Sequence, residues 1–94
     1  HTQNIMEFIT PSLKKITVKS KYPQFIDFER ENKIVNLDLV YSFNKRNIDV
    51  SEIDSKIPTI RFYISKDTWI DWFYDNEDDR DFDYNKILNK TTTK

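Results

Sequence analysis

Sixteen acidic and fifteen basic side chains give this sequence ample charge but few groups suited to catalysis. Its one histidine is residue 1 and it has no cysteine. A histidine general base, a thiolate nucleophile and cysteine-held zinc therefore lack the residues they need. The nearest approach to a catalytic set is Asp27, Glu31 and Lys33, the acid and lysine types that metal-dependent nucleases use. In so charged a chain such triplets arise by chance. Glu31 and Lys33 also fall at an expected hairpin tip, where no pocket would perturb them. The acidic run 75–83 places Asp75, Glu77, Asp79, Asp81 and Asp83 at alternate positions, as calcium ligands are placed, but it has neither the turn glycine nor the closing glutamate of such a loop. Glycine is absent throughout, which excludes the phosphate-cradling loops that need a residue without Cβ. No catalytic residue, metal ligand or cofactor is assigned, and the chain is expected not to be an enzyme.

What remains is binding. Seven Phe, five Tyr and two Trp make up 15% of the chain. They are densest at 69–74, where Trp69, Trp72 and Tyr74 adjoin the acidic residues Asp75, Glu77, Asp78 and Asp79. Exposed tryptophan and tyrosine are the usual anchors of protein interfaces, and an acidic run steers a basic partner. These seven residues are the expected protein-binding surface. A second candidate is the basic region 14–46, with Lys14, Lys15, Lys19, Lys21, Arg30, Lys33, Lys45 and Arg46 as nucleic-acid contacts. Residues 12–46 hold those eight cations against four acids, whereas 66–94 hold five against eight. The net charge of −1 lacks the basic footprint of a stand-alone nucleic-acid binder.

The elements that must position these residues follow from periodicity. Residues 35–43 alternate Val35, Leu37, Leu39, Tyr41 and Phe43 with mostly polar neighbours, which predicts a strand with one buried face. Residues 24–30 precede it, and Glu31-Asn32 predicts a hairpin turn between the two. Thr10-Pro11 predicts a short helix through Lys15, and Ile16, Val18, Ser20 and Tyr22 a strand ending at Pro23. Ile5, Met6, Phe8 and Ile9 fit helix or strand equally. Residues 44–58 read as a polar loop with one helical turn. A strand over 59–64 puts Ile60, Phe62 and Ile64 on one face and Thr59, Arg61 and Tyr63 on the other. Ser65 then predicts the N-cap of an aromatic helix over 66–75. An acidic loop over 75–83, a short helix burying Ile87 and Leu88, and a frayed tail at 91–94 complete the reading. Turns must use Asn and Asp, the residues other than glycine that tolerate positive φ.

The expected architecture is a single α+β domain over 1–94: a small antiparallel sheet of three to four strands with a central hairpin, covered on one face by an aromatic-rich C-terminal helix. No apolar run approaches the roughly 20 residues needed to cross a bilayer, and the absence of cysteine suits a reducing cytoplasm. Missing glycine and abundant Ile, Lys, Asn and Asp match an A+T-rich genome such as that of a phage or mobile genetic element. The expected function is a non-enzymatic accessory or inhibitor protein that binds a larger protein partner. The alternative is a nucleic-acid-binding auxiliary to a polymerase, helicase or nuclease.

Overall fold

A computed structural model describes residues 7–92 of the chain. The N-terminal residues Ile5 and Met6, and Thr93 and Lys94 of the expected frayed tail, lie outside the described residues. The architecture is α+β, with a three-stranded antiparallel sheet, two smaller two-stranded sheets and one C-terminal helix among the described residues. The strands are β1 (Phe8–Ile9), β2 (Lys15–Val18), β3 (Phe28–Glu31), β4 (Val35–Asn36), β5 (Ser42–Val50), β6 (Ser55–Ser65) and β7 (Thr68–Phe73), and α1 spans Glu77–Thr92. The main sheet has the order β5-β6-β7, β1 pairs with β4, and β2 pairs with β3.

The central strand β6 is buried on both faces from Ile57 to Ile60. One face carries Ile60 and Phe62, beside Trp72 and Ile70 of β7 and Phe43 of β5. Helix α1, β1 and β4 cover this face, so Ile9, Val35, Ile60, Phe62, Trp72, Tyr74 and Ile87 form the larger core. The opposite face carries Ile57, Thr59, Arg61 and Tyr63. The β2–β3 ribbon covers only its Ile57 end, where Ile16, Phe28, Ile53 and Ile57 form a second core and Phe28 meets Phe73 edge-on at 5.5 Å. Leu13 packs against both cores.

The strand over 59–64 is present and longer than the sequence suggested, and its two faces divide as expected. The expected hairpin of 24–30 with 35–43 does not form. β3 pairs instead with β2, from Lys15↔Glu31 to Val18↔Phe28, burying Ile16 and Phe28. The alternating run over 35–43 breaks after Asn36, whose Oδ1 accepts the Asp38 N–H at 3.1 Å and caps a 3-10 turn at Leu37–Leu39. Leu39 and Tyr41 consequently face solvent. The expected loop over 44–58 is mostly strand. Its polar residues suit β5, which is an edge strand, and only Ser51–Ile53 forms a 3-10 turn. Asp54 closes this turn at φ 51°, which accords with the expectation that an Asp or Asn takes the positive-φ role in a chain without glycine.

The expected helix over 66–75 is strand β7. Its run of aromatic and β-branched residues satisfies helical and strand spacing alike, and pairing with β6 decides between them. Ile70, Trp72 and Tyr74 turn to one face, and Trp69, Asp71 and Phe73 to the other. Ser65 is not a helix N-cap but a hairpin residue, with its hydroxyl accepting the Asp67 N–H at 3.4 Å. The turn has no positive-φ residue, and a register shift between Tyr63 and Ser65 accommodates it.

From Glu77 onward the acidic run is not a loop but the first turns of α1, with Asp75 in the bend before it. Asn76 Oδ1 accepts the Asp79 N–H at 2.8 Å, and Glu77, Asp78 and Asp79 lie in the first turn, where the helix dipole favours acids. Ile87 is buried as expected, whereas Leu88 is partly exposed. Residues 91 and 92 continue the helix. The short helix expected from Thr10-Pro11 is absent, because Ser12 is drawn to Asp83 and the chain extends into β2.

Two buried polar side chains lock these layers together. Asp83 is 2% exposed, and its Oδ2 accepts the Ser12 N–H and hydroxyl, both at 3.0 Å, and the Tyr74 hydroxyl at 2.6 Å. Burial, and next the bond to Asp83, push the Tyr74 hydroxyl well above the ordinary tyrosine pKa of 10.0. An unfolded Tyr74 therefore ionises at a pH where the folded residue keeps its proton. Its contribution to stability is complete below about pH 10 and is lost as the pH climbs above it. Urea midpoints of the wild type are expected to fall between roughly pH 9 and 11, and those of Tyr74→Phe to fall less steeply. Equal slopes would show that Tyr74 does not drive the alkaline loss.

Candidate interaction surface

The uncovered end of the second sheet face carries the most organised group of exposed side chains. Cross-strand register sets Ser42, Tyr63 and Trp69 in one row and Asn44, Arg61 and Asp71 in the next, while the third, Arg46, Thr59 and Phe73, runs into the covered end, with Thr59 buried and Phe73 against the second core. Tyr41 adjoins the first row, its ring 6.3 Å from that of Tyr63, and Tyr63 meets Trp69 edge-on at 5.8 Å. Tyr41, just before β5, is 62% exposed and Trp69 on β7 45%, and Tyr63 of β6 is half-buried between them.

Arginines hold the row in place. Arg61 donates through Nε and Nη2 to the two carboxylate oxygens of Asp71, at 2.9 and 3.0 Å, and its guanidinium stacks 4.4 Å from the Trp69 ring. The hydrogen bond to Asp71 favours the charged guanidinium and holds the Arg61 pKa above its ordinary value. This two-pronged pairing fixes the plane on which the indole rests. Arg46 reaches along β5 to donate to the Tyr63 hydroxyl at 3.1 Å. Asn44 Oδ1, in the row of Arg61 and Asp71, is buried without a hydrogen-bond partner among the described residues. Beside Asp71 lies a groove of ≈ 420 Å³ lined by Phe28, Ile48, Val50 and Phe73 together with Arg30, Asp49 and Asp71. Large rings, arginines bonded or stacked against them and an adjoining groove of mixed polarity are the ingredients of an interface hot spot.

Of the seven residues expected to bind protein, Trp69 alone belongs to this surface. Trp72 and Tyr74 are 1% and 0% exposed, so the expectation that they present a binding surface is corrected: both are core residues. The Trp72 indole N–H donates to the Lys33 carbonyl at 2.7 Å, and Tyr74 donates to Asp83. Asp75, Glu77, Asp78 and Asp79 are exposed, but they sit at the start of α1 beyond the end of β7, apart from the rows of Trp69.

The eight basic residues do not form one free patch. Lys15, Lys19, Lys21, Lys33 and Lys45 each have a carboxylate within 4 Å, from Glu29, Asp27, Asp54, Glu31 and Asp81 respectively. Lys45 lies on the helix-covered face beside Tyr84. Arg30 stacks on Phe28 at 4.4 Å, Arg46 joins the aromatic surface, and Lys14 is exposed with no ion pair among the described residues. The nuclease-like triplet is not assembled either, because Lys33 bonds Glu31 while Asp27 accepts the Ser20 N–H. Among the described residues no group of three or more His, Cys, Asp or Glu is arranged to hold a metal ion. Nor is any helix among them long and apolar enough to cross a membrane.

Tyr41, Arg61, Tyr63 and Asp71 are the surface residues that sequence reasoning did not select. Part of the signal was legible, since alternation on β6 already placed Arg61 and Tyr63 on one face. Trp69 was singled out by residue type, whereas its neighbour Asp71 was hidden by the helical reading of β7. Comparison with family models, curated proteins and solved structures yields no match.

Proposed function

We propose that this chain is a non-enzymatic accessory or inhibitor protein that binds a larger protein partner through the open sheet face. The observation that carries the reading is the row of exposed Tyr41, half-buried Tyr63 and exposed Trp69, in which Arg46 bonds Tyr63 and Arg61 stacks on Trp69. Tyrosine, tryptophan and arginine are the types enriched at interface hot spots, and rings already fixed in place lose little entropy on docking. The carboxylates beside so many of the cations suit a protein surface of mixed charge better than a phosphate backbone. A-T-biased composition and small size fit a phage or mobile-element protein acting in the cytoplasm on a larger host or element-encoded enzyme.

One observation favours a second reading: bases of a single strand stack on exposed aromatic rows of this kind. Two experiments separate the readings. Affinity capture from the source cell, followed by titration of the captured protein, is expected to show Tyr41→Ala and Trp69→Ala each weakening binding by roughly 30-fold or more. Both side chains are exposed, so both variants should keep the fold. Undiminished binding in both would remove the proposed surface. Anisotropy titration of single- and double-stranded DNA at low and physiological salt tests the alternative. Micromolar, salt-sensitive binding that Arg46→Glu removes would replace the protein partner with nucleic acid.

A further inference from the structure

Strand β7 forms one edge of the main sheet, and its hydrogen-bonding groups alternate in direction. The Tyr74 N–H donates inward, to the Pro58 carbonyl of β6 at 2.9 Å. The neighbouring Phe73 points outward: Asn32 Oδ1 accepts its N–H at 2.8 Å, and Asn32 Nδ2 donates to its carbonyl at 2.9 Å. The Asn32 amide thus stands in for a neighbouring strand at this one position. Unbroken register from Thr59↔Phe73 to Tyr63↔Trp69 turns the N–H and carbonyl groups of Asp71 and Trp69 outward as well. Among the described residues nothing pairs with them.

This open stretch lacks the usual guards of a sheet edge. Thr68–Phe73 contains no proline and no lysine, and its one charge, Asp71, is folded back onto Arg61. Ile70 and Trp69 are both partly exposed on it. The stretch is short, bounded by the Lys66-Asp67 turn at one end and by Asn32 at the other. A long foreign strand would run into Asn32.

We infer that the occupant is a second copy of this chain, with the two β7 edges pairing antiparallel about Ile70. In that register Trp69 of each copy exchanges its backbone bonds with Asp71 of the other, leaving no outward group of either residue unpaired. The two Ile70 side chains meet on one face, and each Trp69 lies beside an Asp71 already neutralised by its own Arg61. The result is one continuous six-stranded sheet with two-fold symmetry. The short contact makes the dimer weak and concentration-dependent. This inference rests on the strand edge, whereas the proposed function rests on the sheet face. Tyr41→Ala, beside β5 at the opposite edge of the sheet, should leave dimerisation intact.

Analytical ultracentrifugation from low-micromolar to millimolar protein tests it, together with amide hydrogen exchange over the same range. The wild type is expected to rise towards twice the mass of one chain, while Ile70→Lys stays at the mass of one. The amides of Trp69 and Asp71 should exchange at least about tenfold more slowly at the high concentration. A wild type that stays monomeric throughout would overturn the inference, as would a dimer that Ile70→Lys leaves unchanged. Should Ile70→Lys fail to fold, amide exchange in the wild type decides alone, and rates independent of concentration count against the pairing.

Discussion

Trp72→Ala is expected to cost about 3–5 kcal/mol of folding stability, a large part of the roughly 5–14 kcal/mol available to a domain of this size. Trp72 is 1% exposed and packs edge-on against Phe62 with ring centroids 4.8 Å apart. Removing it opens a cavity between the sheet and the elements that cover it, and the Lys33 carbonyl loses its indole donor. Urea titration followed by circular dichroism checks this, and Trp69→Ala is the informative control. That side chain is 45% exposed and three residues away on the same strand, on the opposite face. Its loss should move the midpoint little. Similar losses at both positions would contradict the assignment of faces on β7.

The second large effect is expected at Asn32, whose side chain is 5% exposed. Its Nδ2 donates to the Leu13 carbonyl at 2.8 Å and to the Phe73 carbonyl, while its Oδ1 accepts the Phe73 N–H. One amide therefore satisfies main-chain groups of the N-terminal segment and of β7. Asn32→Ala leaves those groups without partners in a largely buried place, at a cost of about 3 kcal/mol. Asn32→Asp is isosteric but sets a carboxylate oxygen against two carbonyls where the amide had donated. It should therefore be no better than alanine at neutral pH. Denaturant titration of both variants tests the claim, and near-wild-type stability of Asn32→Asp would contradict it.

Asn32 and Trp72 also show how much could be read from the chain. Asn32 looked like a turn residue because Glu31-Asn32 sits between two apolar runs, and asparagine tolerates turn geometry. Nothing local reports that its amide caps the edge of a strand 41 residues further on. Trp72 was legible as a large apolar residue near a turn, but its direction depends on whether 68–73 is helix or strand. A run such as Trp69-Ile70-Asp71-Trp72-Phe73-Tyr74 satisfies both spacings. The helical reading grouped Trp69 and Trp72, and the strand separates them to opposite faces.

The candidate surface divides in the same way. Arg61 and Tyr63 share a face by strand alternation alone, and Trp69 was singled out by residue type. Tyr41 joins them because the 3-10 turn at Leu37–Leu39 shifts the chain entering β5, and Asp71 because β7 is a strand paired in register with β6.

By itself the sequence determined the class of the molecule, its shortage of catalytic groups, the 59–64 part of strand β6 with its two faces, and the use of an Asn or Asp for a positive-φ turn. Each of these follows from residue type or short-range period, which act within a few residues of chain. Tertiary structure alone decided which strands pair, which aromatic residues are core and which carboxylates meet which cations. Those outcomes depend on burying the faces of β6 from both sides at once. The free energy of that burial comes from residues distant in sequence, and it overrides the nearly equal local preferences of an ambiguous apolar run.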